Sequence, residues 1–220
     1  MVIFLMVNLM KVFKMSPENP DIDLINEAID IMANGGIILY PTDTVYGLGA
    51  DIFNDDAVKR IYTIKKRDPS KPLSVLVQDR SSVELIADLD KNSAEIINKC
   101  LPGPFTFILN KKEIVSPYVS PSSKVGVRVP DYKIARLLAS LFPITTTSAN
   151  LTNEDTLSNP QDILNQIGDV VDLVIDVGSL EGNEPSTVID LTYPKPSLVR
   201  NGFISDKIKS IKEDVENLKL

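Results

Sequence analysis

Apolar residues at Ile22, Ile25, Ala28, Ile29 and Met32 recur at the spacing of one helix face, and Gly35-Gly36 closes the run. Asn19-Pro20 ahead of them reads as an N-cap with proline at the first helical position. A short unbroken apolar run at 37–40 predicts a buried strand, followed by a loop with Pro41, Gly47 and Gly49. Asn54-Asp55-Asp56 opens a second helix with acids at its positive end and Lys65-Lys66-Arg67 at its negative end. Pro69 stops that helix, because the residue before proline is pushed out of helical geometry. The pattern then predicts a strand at 73–77 and short helices at 83–87 and 94–100. Pro102-Gly103-Pro104 breaks the chain before strands at 105–109 and 125–129. A helix near 134–141 leads to a strand at 144–147 and its loop Ser148-Ala149-Asn150. A helix near 161–167 precedes strands at 173–177, 187–191 and 198–200, and Ser205 begins a charged terminal helix.

Helices and strands alternate first and strands then cluster, which predicts an α/β fold with a mixed, twisted sheet. No linker rich in Gly or Ser interrupts the chain, so the reading is one domain over 11–205 with a charged helix or tail at 206–220. The apolar run 1–9 is too short for a membrane span and lacks the flanking charge and cleavage site of a signal peptide. It reads as an upstream extension, with Met10-Lys11-Val12-Phe13-Lys14 as the start of the folded chain.

Composition then narrows the chemistry. Among 220 residues there is no histidine, which excludes Ser-His-Asp and Cys-His catalysis and a His-ligated zinc site. The lone cysteine, Cys100, excludes an intrachain disulfide and a thiolate cluster; its helix-like surroundings read as a buried small hydrophobe, and a reducing cytoplasm suits it. Reaction chemistry is left to Lys, Arg, Asp, Glu, hydroxyls and backbone groups, with magnesium as the candidate cation. A net charge of -7 and a pI of about 4.7 argue against a broadly basic nucleic-acid binder.

Several segments could carry that chemistry. Tyr40-Pro41-Thr42-Asp43-Thr44-Val45-Tyr46-Gly47-Leu48-Gly49 follows a buried strand, where ligand loops of open α/β sheets lie, although a tight turn rich in polar caps explains it equally well. Lys65, Lys66, Arg67 and Lys71 put four cations within seven residues, either a phosphate or carboxylate clamp or a solvated helix end. Thr145-Thr146-Thr147-Ser148-Ala149-Asn150 offers hydroxyls and a carboxamide at a strand end, or simply caps a turn. Pro185-Ser186-Thr187-Val188-Ile189-Asp190 and Arg200-Asn201-Gly202 complete the set.

Taken in order, these segments resemble the YrdC-like family, which includes the threonylcarbamoyl-AMP synthases, from about Asp21 to Gly202. Lys65 and Arg67 are similar to its Lys-x-Arg pair, and Ser148 and Asn150 to its Ser-x-Asn pair. Pro102-Gly103-Pro104-Phe105-Thr106, Val127-Arg128-Val129-Pro130 and Pro185-Ser186-Thr187 match in the same order. The resemblance implies a twisted sheet curving around a concave, positively lined cavity that holds ATP beside L-threonine. It implies Lys65 and Arg67 as the catalytic pair. Arg67, Lys71, Lys124, Asn150, Ser158 and Arg200 would face ATP, and Thr44, Arg128, Ser148 and Ser186 threonine. Magnesium would arrive with ATP rather than on protein ligands. The implied reaction joins ATP, L-threonine and bicarbonate, and a downstream threonylcarbamoyl transferase complex uses the product on tRNA. Contact with tRNA or double-stranded RNA is also implied. The chain departs from the family pattern at Leu76, where His is frequent, at Lys71 (Asn), at Lys124 (Thr) and at Asn153 (Gly). Two other readings stay open: an RNA-binding module without catalysis, and carbamoyl-adenylate chemistry on another acceptor.

Overall fold

The computed structural model describes residues 10–182 and 184–202. The elements in chain order are β1 (Lys11–Lys14), α1 (Ile22–Ala33), β2 (Ile38–Tyr40), β3 (Gly47–Gly49), α2 (Asp55–Lys65), β4 (Ser74–Leu76), β5 (Ala87–Asp88) and α3 (Lys91–Cys100). There follow β6 (Phe105–Lys111), β7 (Lys124–Arg128), α4 (Lys133–Leu138), β8 (Ile144–Ser148), α5 (Pro160–Ile167), β9 (Leu173–Asp176), β10 (Thr187–Asp190) and β11 (Ser197–Arg200). They build one mixed, twisted 11-stranded sheet in the order β1-β9-β2-β3-β8-β4-β7-β6-β10-β11, with β5 pairing beside β6. The expected terminal helix from Ser205 and the expected extension at 1–9 lie outside the described residues.

Local signals account for most elements, and tertiary pairing corrects the rest. The cap of α1 is Asp21 rather than Asn19: its carboxylate accepts from the amides of Asp23 (2.9 Å) and Leu24 (3.3 Å). Asn54 caps α2 as its sequence suggests, accepting from Ala57 N (3.0 Å). The helix expected at 83–87 is a 3-10 turn at Ser81–Leu85 running into β5. β1 was unmarked in the pattern because an exposed four-residue edge strand alternates too briefly; it pairs in parallel with β9. Gly47–Gly49, expected as loop, is a strand antiparallel to β2. Glycine is needed there because the buried Tyr40 ring covers both positions. A Cβ on Gly49 would stand 2.9 Å from Tyr40 Cε1, and one on Gly47 3.1 Å from its Cζ. Gly49→Ala is expected to lower stability by about 1–3 kcal/mol by overpacking, read as a lower denaturant midpoint at unchanged slope.

Strand alternation divides the core into two clusters on opposite sheet faces. Leu39, Val75, Val125, Val127, Phe105, Phe107 and Val174 face one way and are covered by α2, α3 and α5. Cys100 is buried there within α3, as expected of a small hydrophobe. Ile38, Tyr40, Leu76, Ile144, Leu173 and Ile175 face the other way beneath α1 and α4. The cover on this second face is incomplete. Ser74 and Thr146, paired in register across β4 and β8, share it with Arg128 and Thr106, and all four line a cavity.

Candidate active site

The loop between β2 and β3 is tied by the buried Thr42 hydroxyl. It accepts from the amides of Thr44 (3.2 Å) and Val45 (3.3 Å) and donates to the Val45 carbonyl (2.7 Å). Tyr46 anchors the far side: its hydroxyl donates to Gly178 O (2.8 Å) and accepts from Val177 N (3.1 Å). Burial raises the Tyr46 phenol well above its usual range, so it stays a donor. The loop thereby presents Asp43 and Thr44 to β7. Arg128 Nη2 donates to Thr44 Oγ1 (2.7 Å) and forms an ion pair with Asp43, whose other oxygen accepts from Asp131 N (2.9 Å). Arg128 is only 4% exposed, and its Nε has no partner.

The end of α2 supplies the second cation. Lys66 takes a left-handed backbone (φ 48°), which turns the chain out of the helix. Arg67 then folds back over the next turn, with Nε donating to Lys71 O (3.2 Å) and Nη2 to Pro72 O (2.9 Å). The third cation comes from β11. Arg200 Nε and Nη2 donate to Ser186 O (3.1 and 2.9 Å), and Nη2 also reaches Ser186 Oγ (3.3 Å). Ser186 Oγ shares a hydrogen bond with Thr106 Oγ1 (2.8 Å). Gly202 permits this approach: a Cβ there would lie 2.1 Å from the Pro185 carbonyl oxygen.

Arg67, Arg128 and Arg200 line one cavity with the hydroxyls of Thr106, Ser148 and Ser186. Their convergence has an electrostatic signature. Arg200 is held below the ordinary arginine range first by burial, then by the Arg128 and Arg67 guanidiniums. Asp43 neutralises Arg128, whereas among the described residues neither Arg67 nor Arg200 is in an ion pair. A concave site with unpaired guanidiniums and hydroxyl donors attracts anionic groups with oxygen acceptors.

Of the residues singled out in the sequence, Arg67, Arg128, Ser148, Ser186 and Arg200 line the cavity, and Thr44 is buried behind Arg128. Others are elsewhere, and the four-cation clamp reduces to Arg67. Lys65 does not line the cavity; it is 2% exposed, and burial followed by the Arg67 charge brings its pKa down to about 7. Lys71 is exposed, and its carbonyl rather than its ammonium serves Arg67. Lys124 stands at the opposite end of β7 from Arg128, paired with Asp190 (3.0 Å) and 4.2 Å from the Tyr193 ring centre. The Asn150 carboxamide is spent within the protein: Nδ2 donates to Leu151 O (3.0 Å) and Glu154 O (2.6 Å), and Oδ1 accepts from Ser148 Oγ (2.5 Å) and Lys65 Nζ (3.3 Å). Ser158 lies ahead of α5, where its carbonyl accepts from Leu180 N (3.0 Å).

Leu76 is fully buried in the apolar cluster beneath α1 and α4. Asn153 adopts φ 70°, the left-handed region that glycine or asparagine tolerates, which explains how Asn replaces the usual Gly. Sequence reasoning left Ser74 outside every candidate segment, and it placed Asp43, Thr106 and Thr146 inside candidate segments without giving any of them a contact of its own. A usable signal was present in Phe105-Thr106-Phe107, where a hydroxyl occupies the alternate position of an otherwise core strand.

Among the described residues no cluster of three or more His, Cys, Asp or Glu side chains could cage a metal ion. No helix among these residues is long and apolar enough to cross a membrane.

Known proteins resemble this chain in sequence and in fold. The Sua5/YciO/YrdC family model, described as telomere recombination, matches residues 30–202. A putative threonylcarbamoyl-AMP synthase of Methanocaldococcus jannaschii is 39% identical over 171 residues, 78% of this chain and 82% of that protein. The crystal structure of Escherichia coli YciO, a protein described as uncharacterized, superposes with a TM-score of 0.83 at 34% identity, covering 89% of this chain and 97% of that one. Pyrococcus abyssi Sua5 complexed with L-threonine gives a TM-score of 0.83 at 29% identity, covering 92% of this chain. This chain spans about 60% of the length of that Sua5 structure. With the match covering most of its length, the chain belongs to the Sua5/YciO/YrdC family.

Proposed function

We propose that this chain is a nucleotidyltransferase that makes threonylcarbamoyl-AMP and pyrophosphate from ATP, L-threonine and bicarbonate. The product would feed threonylcarbamoyladenosine modification of tRNA in the cytoplasm, through a separate transferase complex. The observation that carries the reading is the convergence of Arg67, Arg128 and Arg200 with Ser148 and Ser186 on one cavity. The names of the M. jannaschii relative and of the threonine-bound P. abyssi structure support it.

The chemistry asks little covalent work of the protein. The threonine amine adds to bicarbonate, and loss of water gives a carbamate. A carbamate oxygen attacks the α-phosphorus of ATP, the bond to the β-phosphate oxygen breaks, and pyrophosphate leaves. Catalysis then rests on positioning and on neutralising charge. Two unit anions at ~4 Å repel by roughly 1 kcal/mol in water and several times more in a partly dry cavity. In this reading Arg67 and Arg200 face the nucleotide phosphates. Arg128, with Ser148 and Ser186, faces the threonine carboxylate from the cavity wall. Having no histidine is compatible with a reaction that needs no protein nucleophile.

Mass spectrometry of a reaction containing ATP, threonine, bicarbonate and magnesium is expected to reveal the mixed anhydride, with pyrophosphate release dependent on threonine. ATP consumption indifferent to threonine would point to another acceptor. A salt-dependent RNA shift without ATP turnover would point to a binding module.

A further inference from the structure

We propose that Lys65 is a positioning residue, a clasp that locks the Ser148 wall of the cavity to the Arg67 wall. This rests on the cavity being the substrate site. The Lys65 side chain is buried, and its nitrogen donates to Ser148 O (2.5 Å), Asn150 O (2.6 Å) and Asn150 Oδ1 (3.3 Å). Three acceptors surround the nitrogen, as many as the charged form has donors, and their hydrogen bonds favour the ammonium against the burial that lowers its pKa. Reaching a phosphate would mean releasing the loop and leaving buried carbonyls unpaired.

The same residue is held from its backbone as well. Its carbonyl accepts from Thr152 N (2.9 Å) and from Thr152 Oγ1 (2.8 Å). Five hydrogen bonds thus join one residue of α2 to the 148–152 loop, across 83 to 87 residues of sequence. Both ends of the clasp reach the cavity. Ser148, whose carbonyl is gripped, lines it. Arg67 lines it from two residues beyond Lys65, aimed by the left-handed turn at Lys66. Displacing the clasp therefore moves both walls, although Lys65 touches neither ligand.

Two variants test this: Lys65→Met, which keeps length without donors, and Thr152→Val, which removes one hydroxyl bond and keeps the backbone bond. The first measurement needs no substrate. In folded Lys65→Met, amide hydrogen exchange across 149–154 is expected to quicken by about tenfold or more. Exchange in α1 and α4 should stay unchanged, and Thr152→Val should shift the loop less in the same direction. Unaltered protection at 149–154 overturns the proposal.

The second measurement is calorimetric binding of L-threonine alone. A clasp predicts threonine affinity about tenfold weaker in Lys65→Met. A direct nucleotide contact would leave threonine binding as in the parent and weaken only ATP, which overturns the proposal, as would a purely structural role that lowers the melting temperature without changing affinity. If Lys65→Met does not fold, Thr152→Val carries both measurements. If the parent itself binds no threonine, the proposed function fails, and the exchange data alone decide the clasp.

Discussion

Arg67→Ala is expected to slow pyrophosphate release from ATP by roughly 10²- to 10³-fold, the usual loss when one preorganised charge-stabilising donor is removed. Arg67 is one of two cavity guanidiniums without an ion pair among the described residues, so its charge is available to a phosphate. The fold should hardly notice the change. The donors of Arg67 go to the carbonyls of Lys71 and Pro72, in an exposed turn where water can replace them. A stability loss of about 1 kcal/mol or less is expected. Arg67→Lys should rescue poorly, because a point charge does not reproduce the planar fork. Folded Arg67→Ala releasing pyrophosphate at the parent rate would count heavily against the proposed function.

The largest stability effect is expected at Asp43→Ala. Its carboxylate is the partner of Arg128, and the two side chains are only 11% and 5% exposed. Removing Asp43 strands a buried guanidinium beside two others. Breaking a buried pair from one side costs about 3–5 kcal/mol. The lower end, about 3 kcal/mol, applies because the cavity admits water, and for a chain of this size that lowers Tm by roughly 6–12 °C. Asp43→Ala/Arg128→Met should recover part of the loss, since it removes the stranded charge as well. Added inorganic phosphate should stabilise Asp43→Ala more than the parent, by mass action on an uncompensated cation. An Asp43→Ala protein that melts with the parent would show that Arg128 needs no counterion.

The amino-acid order determined by itself those features whose causes are local. The carboxamide cap at Asn54, the helical stripe of α1 and the apolar runs of β2 and β6 are read within a few residues, because caps and periodicity act over one or two turns. The absence of histidine removed whole reaction classes without any structure. The order of the motifs was enough to identify the family. Only the tertiary structure decided which motif residues face the cavity. Lys65, Arg67 and Lys71 look alike as neighbouring cations. Packing buries the first in a loop clasp, turns the second inward and leaves the third in solvent. Lys124 and Arg128 lie on the same short strand, yet one end meets Asp190 and the other meets Asp43. The physical reason is that burial and charge pairing are settled between segments far apart in the chain. Asp43 and Arg128 are separated by 85 residues, and no local pattern records which carboxylate a buried guanidinium will find.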